Sequence, residues 1–298
     1  TVSGSPTFTH NSGTVTFDGA ANQTFTTNGV TLNHLTLNNT GASGSDKLII
    51  SGNLDVNGNL TLTDGTLDLA TNNPNVNTAG DVAIASAGAV TKGTGTWTFD
   101  GSGTSTLTGN SQDLGTVTID GSTKTVQLGG AVAFGTLTIG SDDTLSLAGN
   151  NVTVTTLSNN GTFKLQGNET VTITTMDTDS GTVEYTGRNI AETLTLRDFG
   201  STDYFNLTIN DTNTNKATFA SGAAKSIAGA FTVSSATYDA NANTTTVTGL
   251  TTVNGGTYLP STATQTFNGG LTVSSGTFTG SSGAVDVNGN LALSGGTL

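Results

Sequence analysis

Cysteine is absent from the 298 residues, which excludes a disulfide framework, thiol catalysis and thiolate metal sites. Histidine is limited to His10 and His34, so none follows a candidate serine nucleophile, and the sequence argues against a histidine-based hydrolase. Proline is confined to Pro6, Pro74 and Pro260, as expected of a sheet in which nearly every backbone N–H is needed by a neighbour. Charged residues make up 10%, against a usual share near 25%. Positive charge is the scarcest: 8 basic against 21 acidic residues leave −13, which disfavours nucleic acid and anionic membranes as partners. No run approaches 18 apolar residues, and no basic segment precedes an apolar core, so neither a membrane-spanning helix nor a signal peptide is read.

Threonine, serine, asparagine and glycine fill the space. The 41 glycines are about twice the usual share of about 7%. Threonine and valine dominate over helix formers, which favours pleated structure.

The chain repeats itself. Gly-Thr-apolar recurs at Gly95-Thr96-Trp97, Gly115-Thr116-Val117 and Gly135-Thr136-Leu137, then at Gly161-Thr162-Phe163 and Gly181-Thr182-Val183. It returns at Gly256-Thr257-Tyr258, Gly276-Thr277-Phe278 and Gly296-Thr297-Leu298. Within these groups the interval holds at 20 and stretches once by 6, which reads as one turn with a loop insertion. A longer period sits on top. Segments opening at Gly13, Gly95 and Gly181 match one another, and each is followed by a second strand pattern at Leu35-Thr36-Leu37, Val117-Thr118-Ile119 or Leu207-Thr208-Ile209. The domain reading is one continuous array over 1–298, with super-repeats starting near 13, 95 and 181. A first residue Thr1 rather than Met, and a strand pattern that stops at Leu298, read as a piece of a longer chain or fibre.

Alternation as in Leu60-Thr61-Leu62 and Val152-Thr153-Val154 marks strands with one apolar face. Pairs such as Asn57-Gly58 and Asp120-Gly121 supply turns. Antiparallel hairpins would satisfy both signals, but a sandwich needs no repeat, whereas in a solenoid each strand pairs with its equivalent one coil on. The predicted fold is therefore all-β, a parallel β-solenoid (β-helix) of about 20-residue coils with two or three sides, right-handed. About 15 coils at about 4.8 Å each would make a rod roughly 70 Å long.

Candidate chemistry is sparse. No phosphate loop is present: Gly93-x-Gly95 lacks its third glycine, and Lys225-Ser226 follows Ala224. Carbohydrate-cleaving solenoids work with carboxylates, which singles out Asp142-Asp143, Asp177 with Asp179, and Glu169. Asp142 and Asp143 would point to opposite faces, and the Ser-Asp-Asp stretch after Gly140 reads as a solvated turn. Arg188, Arg197, Glu192 and Asp198 form the one locally charged segment, a loop that interrupts the rhythm. Asp239-Ala240-Asn241-Ala242-Asn243 offers oxygen ligands for calcium but lacks the sixth-position glycine and twelfth-position glutamate. Thr-x-Thr segments at Thr14, Thr96, Thr116 and Thr136 would form threonine ladders of the kind ice-binding solenoids use, yet they are read here as outward residues on several sides of the coil. Trp97 and the phenylalanines Phe17, Phe25, Phe99, Phe134, Phe163, Phe231, Phe267 and Phe278 fall where the repeat requires an inward residue. No catalytic, cofactor-binding or metal residue is assigned, and no cofactor is expected.

The Gly-Thr-apolar-Thr-apolar, Asn-Gly-Asn-Leu-Thr-Leu and Ser-Gly-Gly-Thr-Leu units resemble, along essentially the whole chain, the repetitive passengers of bacterial autotransporters and filamentous-haemagglutinin-like adhesins. The resemblance implies a non-enzymatic stalk or fibre subunit displayed at the cell surface, acting in adhesion, biofilm or sheath formation, and no functional residue carries over. The expected partners are copies of the chain stacked end to end, surface glycans or other cells, with no nucleic acid and no membrane insertion of this segment. The alternatives are a polysaccharide-processing or phage-tailspike-like β-helix and an ice-binding solenoid.

Overall fold

The computed structural model describes residues 10–298, so Pro6 lies outside the described residues. The chain is a parallel β-solenoid of about 14 turns with roughly 20-residue spacing, and no helix occurs among the described residues. Alternation builds it: in Thr116–Ile119 the threonines are half-buried while Val117 and Ile119 are 1% exposed. Pro74 and Pro260 lie between strands, where no ladder bond is lost.

The chain divides into two compact units, one running to Ser158 and including Thr170–Thr175, the other comprising Asn159–Glu169 and Met176–Leu298. In the first unit Thr96–Phe99, Thr116–Ile119 and Val132–Ile139 pair in parallel, with Trp97 opposite Val117 and Val117 opposite Leu137, a step of 20 at each coil. A second sheet stacks Thr14–Phe17, His34–Asn38, Leu60–Asp68 and Val82–Thr91. On one side Leu60–Asp68 serves two neighbours, its first half pairing with His34–Asn38 and its second with Lys47–Ser51, while Val82–Thr91 pairs along its other side. The core beneath is aliphatic, with Leu35, Leu37, Leu60, Leu62 and Leu67 all at 0% exposure.

From Asn206 to Val287 each coil of the second unit has three short strands. Phe231–Ser235, Thr237–Asp239 and Thr245–Val247 are followed 20 residues on by Thr251–Val253, Thr257–Leu259 and Gln265–Phe267, each pairing with its equivalent. The core here is aromatic. Tyr238 sits opposite Tyr258 and Tyr258 opposite Phe278, with ring centroids 4.9 Å apart at each step.

The period of 20 is real, but the 26-residue step from Gly135 to Gly161 is not a coil with a loop insertion. Thr136 lies in Val132–Ile139, whose neighbour in the same sheet is Val152–Asn159, and Val132 N–H bonds the Asn151 carbonyl. Thr162 belongs to the second unit and pairs onward with Thr182. The tripeptide changes strand set there because period-two alternation suits any face of the coil. Insertions occur elsewhere: Leu35 pairs with Leu60, and Val183 with Leu207. The three strand patterns that follow Gly13, Gly95 and Gly181 are each the next coil's pairing partner.

Candidate functional site

The singled-out carboxylates are spread through the fold, and most of those in reach of a backbone N–H are spent on it. Asp142 is exposed and accepts from Thr123 N–H at 3.2 Å. Asp143, read as part of a solvated turn, is instead 1% exposed. The turn itself is present, closed by Asp143 N–H to the Gly140 carbonyl at 3.1 Å, but it turns the carboxylate inward to accept from Lys124 N–H at 2.7 Å and Gly121 N–H at 3.1 Å. Glu169 is equally buried and accepts from Gln166 N–H and Gly167 N–H, each at 2.7 Å. Asp177 accepts from Asn159 N–H at 2.6 Å and from Asp179 N–H at 3.1 Å. Burial pushes the Asp177 acid up, but the N–H donors of Asp179 and Asn159 and the Ser180 hydroxyl outweigh it and hold it below the ordinary value.

The charged segment resolves into two different things. Arg188 and Glu192 form an exposed bidentate pair at 2.6 and 2.9 Å, which raises the guanidinium and lowers the carboxyl. Arg197 turns back, its guanidinium bonding the Glu169 carbonyl, while its N–H donates to Tyr185 Oη at 3.1 Å. In the Asp239–Asn243 stretch Asp239 accepts from Asn241 N–H, and the amides of Asn241 and Asn243 both donate to the Ser221 carbonyl. This is turn chemistry, with Asn241 and Ala242 at φ +47° and +61°. No group of three or more His, Asp or Glu able to hold a metal is found among the described residues. His10 accepts from Ser12 N–H and His34 from Asn59 N–H.

Two features were missed by sequence reasoning. The first is a pair of buried lysines. Lys124 is 0% exposed, bonded through Nζ to the Ala79 carbonyl and at 2.6 Å to Ser105 Oγ. Burial lowers its pKa against the opposing pull of Asp100, Asp81 and Asp143. It points inward because Thr123, at φ +55°, is a bulge that pairs with nothing opposite and flips the alternation. Lys225 stands 3.6 Å from Asp203, both side chains at 1% exposure or less.

The second is the threonine array. The threonines were placed on several sides of the coil, but three of the four segments share one sheet. Thr96, Thr116 and Thr136 form one column and Thr98, Thr118 and Thr138 another. Thr14 and Thr16 lie on the other sheet of that unit. The six side chains are half-buried, and none of their hydroxyls bonds to a described protein group. Columns run at about 4.8 Å per coil and stand about 6.6 Å apart along the strand. Trp97, 1% exposed, lies beneath them with its indole N–H on Thr78 Oγ1 at 3.0 Å, a core residue as the repeat requires.

The last coil carries the main exposed apolar surface. Leu291, Leu293 and Leu298 are 56–59% exposed, beside a recess of about 300 Å³ lined by Leu271, Phe278, Val285 and Val287. No helix among the described residues is long and apolar enough to cross a membrane. No family model, no curated protein and no solved structure matches this chain.

Proposed function

We propose that this chain is a non-enzymatic structural or adhesive solenoid of a bacterial cell surface, a stalk or fibre subunit. The observation that carries this reading is the coil itself: parallel strands stack in register, as Thr96–Phe99 on Thr116–Ile119 and Phe231–Ser235 on Thr251–Val253, and each coil repeats its neighbour's face. A long array of polar outward columns also offers surface glycans or neighbouring cells an extended contact rather than a pocket. Light scattering across a concentration series, with negative-stain images, tests the fibre reading: particles that lengthen with concentration are expected, and a monomer at every concentration overturns it. Incubation with neutral and acidic glycans separates the carbohydrate-processing reading, since no new reducing ends are expected.

A second reading is favoured by the threonine array. Two columns of free hydroxyls and γ-methyls at constant spacing present an uncharged lattice, and a partner with its own lattice can meet every group at once. Ice is such a partner. Thermal hysteresis lost in Thr116→Lys, with folding intact by circular dichroism, supports it; no hysteresis in the unaltered chain rejects it.

A further inference from the structure

Lys225 and Asp203 lie on successive coils of the second unit and face each other in its core. Nζ stands 3.6 Å from Asp203 Oδ1, with side-chain exposures of 0% and 1%. That separation is too long for a hydrogen bond. Among the described residues the only bond Nζ makes is to the Ala224 carbonyl at 3.4 Å, although an ammonium carries three donors. The carboxyl, by contrast, is gripped at both oxygens: Ser226 N–H donates to Oδ2 at 2.8 Å and Phe199 N–H to Oδ1 at 3.1 Å. Tyr204, Phe231 and Tyr238, all at 0% exposure, belong to the same aromatic core. A charged pair held so loosely in such surroundings is poorly repaid for its desolvation.

We propose that Lys225 and Asp203 condense to an intramolecular amide, a covalent staple between neighbouring coils. Lys225 Nζ–H gives one proton to Asp203 Oδ1, leaving a neutral amine and a neutral acid. The amine lone pair attacks Cγ, and the Ser226 N–H stabilises the charge that develops on Oδ2. The Cγ–Oδ1 bond then breaks, Oδ1 takes a second proton from Nζ, and water leaves. One positive and one negative charge disappear together, so the net charge is unchanged and no oxidant or co-reactant is consumed. The remaining amide N–H keeps the Ala224 carbonyl within reach. Burial raises the Asp203 acid, ahead of the opposing Ser226 N–H and Lys225 charge, which favours the neutral form from which the hydroxyl leaves.

Intact mass of the purified full chain tests this. A mass lower than that of the sequence by one water is expected, and a protease digest should contain one branched peptide joining the segments around Asp203 and Lys225. Lys225→Arg should restore the full mass, whereas Lys124→Arg should keep the deficit. Because Asp-Gly steps such as Asp64-Gly65 lose water on cyclising, a deficit that survives in Lys225→Arg overturns the proposal. The digest of the unaltered chain decides even if a variant misfolds: linear peptides carrying Asp203 and Lys225 in full yield, with no branched species, also overturn it.

Discussion

The two units build the same 20-residue coil with different interiors. The first stacks leucines, as in Leu35 on Leu60 and Leu37 on Leu62. The second stacks rings, as in Tyr238 on Tyr258 on Phe278. Rings fill a three-sided interior economically, but they bring hydroxyls that must be satisfied inside. Tyr238 Oη meets Thr245 Oγ1 at 2.6 Å and Tyr258 Oη donates to Gln265 Oε1 at 2.7 Å. Burial pushes Tyr238 up to about 12, only partly offset by its hydrogen bonds to Thr245 and Ser221. The aromatic unit therefore commits Thr245 and Gln265 to the hydroxyls of its core.

The largest expected effect follows from that difference. Tyr258 touches Phe231, Tyr238, Phe267 and Phe278, so Tyr258→Ala should cost about 3–5 kcal/mol in denaturant unfolding. It also leaves Gln265 Oε1 without its donor. Hydrogen exchange should show protection lost in Phe231–Phe278 and retained in Leu60–Thr91, because solenoid coils contact only their neighbours. Leu62→Ala should give the converse pattern at about 2–5 kcal/mol. Uniform loss across both units would break the comparison.

A smaller effect separates two copies of one tripeptide. At Gly276 an added Cβ would lie 2.4 Å from the Gly256 carbonyl oxygen, and backbone there cannot yield cheaply. Gly276→Ala should cost about 1–3 kcal/mol. At Gly135 the nearest atom is 3.4 Å away and φ is not left-handed. Gly135→Ala should be neutral or stabilising by up to about 1 kcal/mol through the unfolded chain. Thermal midpoints of the two variants check both.

This pair also shows what was legible. The Gly-Thr-apolar period announces the coil, and the alternation announces which residues face inward, Trp97 and the phenylalanine rows included. Even Lys225 was readable, since it lies two residues from Ile227 on the inward face. Lys124 was not, because the bulge at Thr123 depends on a backbone conformation that no residue type there signals. Nor was the location of the threonine array, since alternation gives the side of a strand and not the sheet to which the strand belongs. Asp143 eluded the reading for a related reason: a turn rich in Ser and Asp looks solvated until the N–H groups of the preceding coil are placed beneath it.

Next in size is an acid in the first unit. Asp68, 2% exposed, bonds Lys47 Nζ at 2.9 Å and caps Ala70 N–H, Thr71 N–H and the Thr71 hydroxyl. Burial raises its pKa, but Lys47 and Thr71 together bring it below the ordinary value. Its folded pKa is thus lower than its unfolded one, so its contribution is complete above the unfolded value of about 3.9 and is lost as pH falls through the folded value. Asp68→Asn should cost about 1–2 kcal/mol at neutral pH and flatten the acid limb of the stability curve below about pH 4. An unchanged acid limb would show that the bonds to Lys47 and Thr71 add nothing in solution.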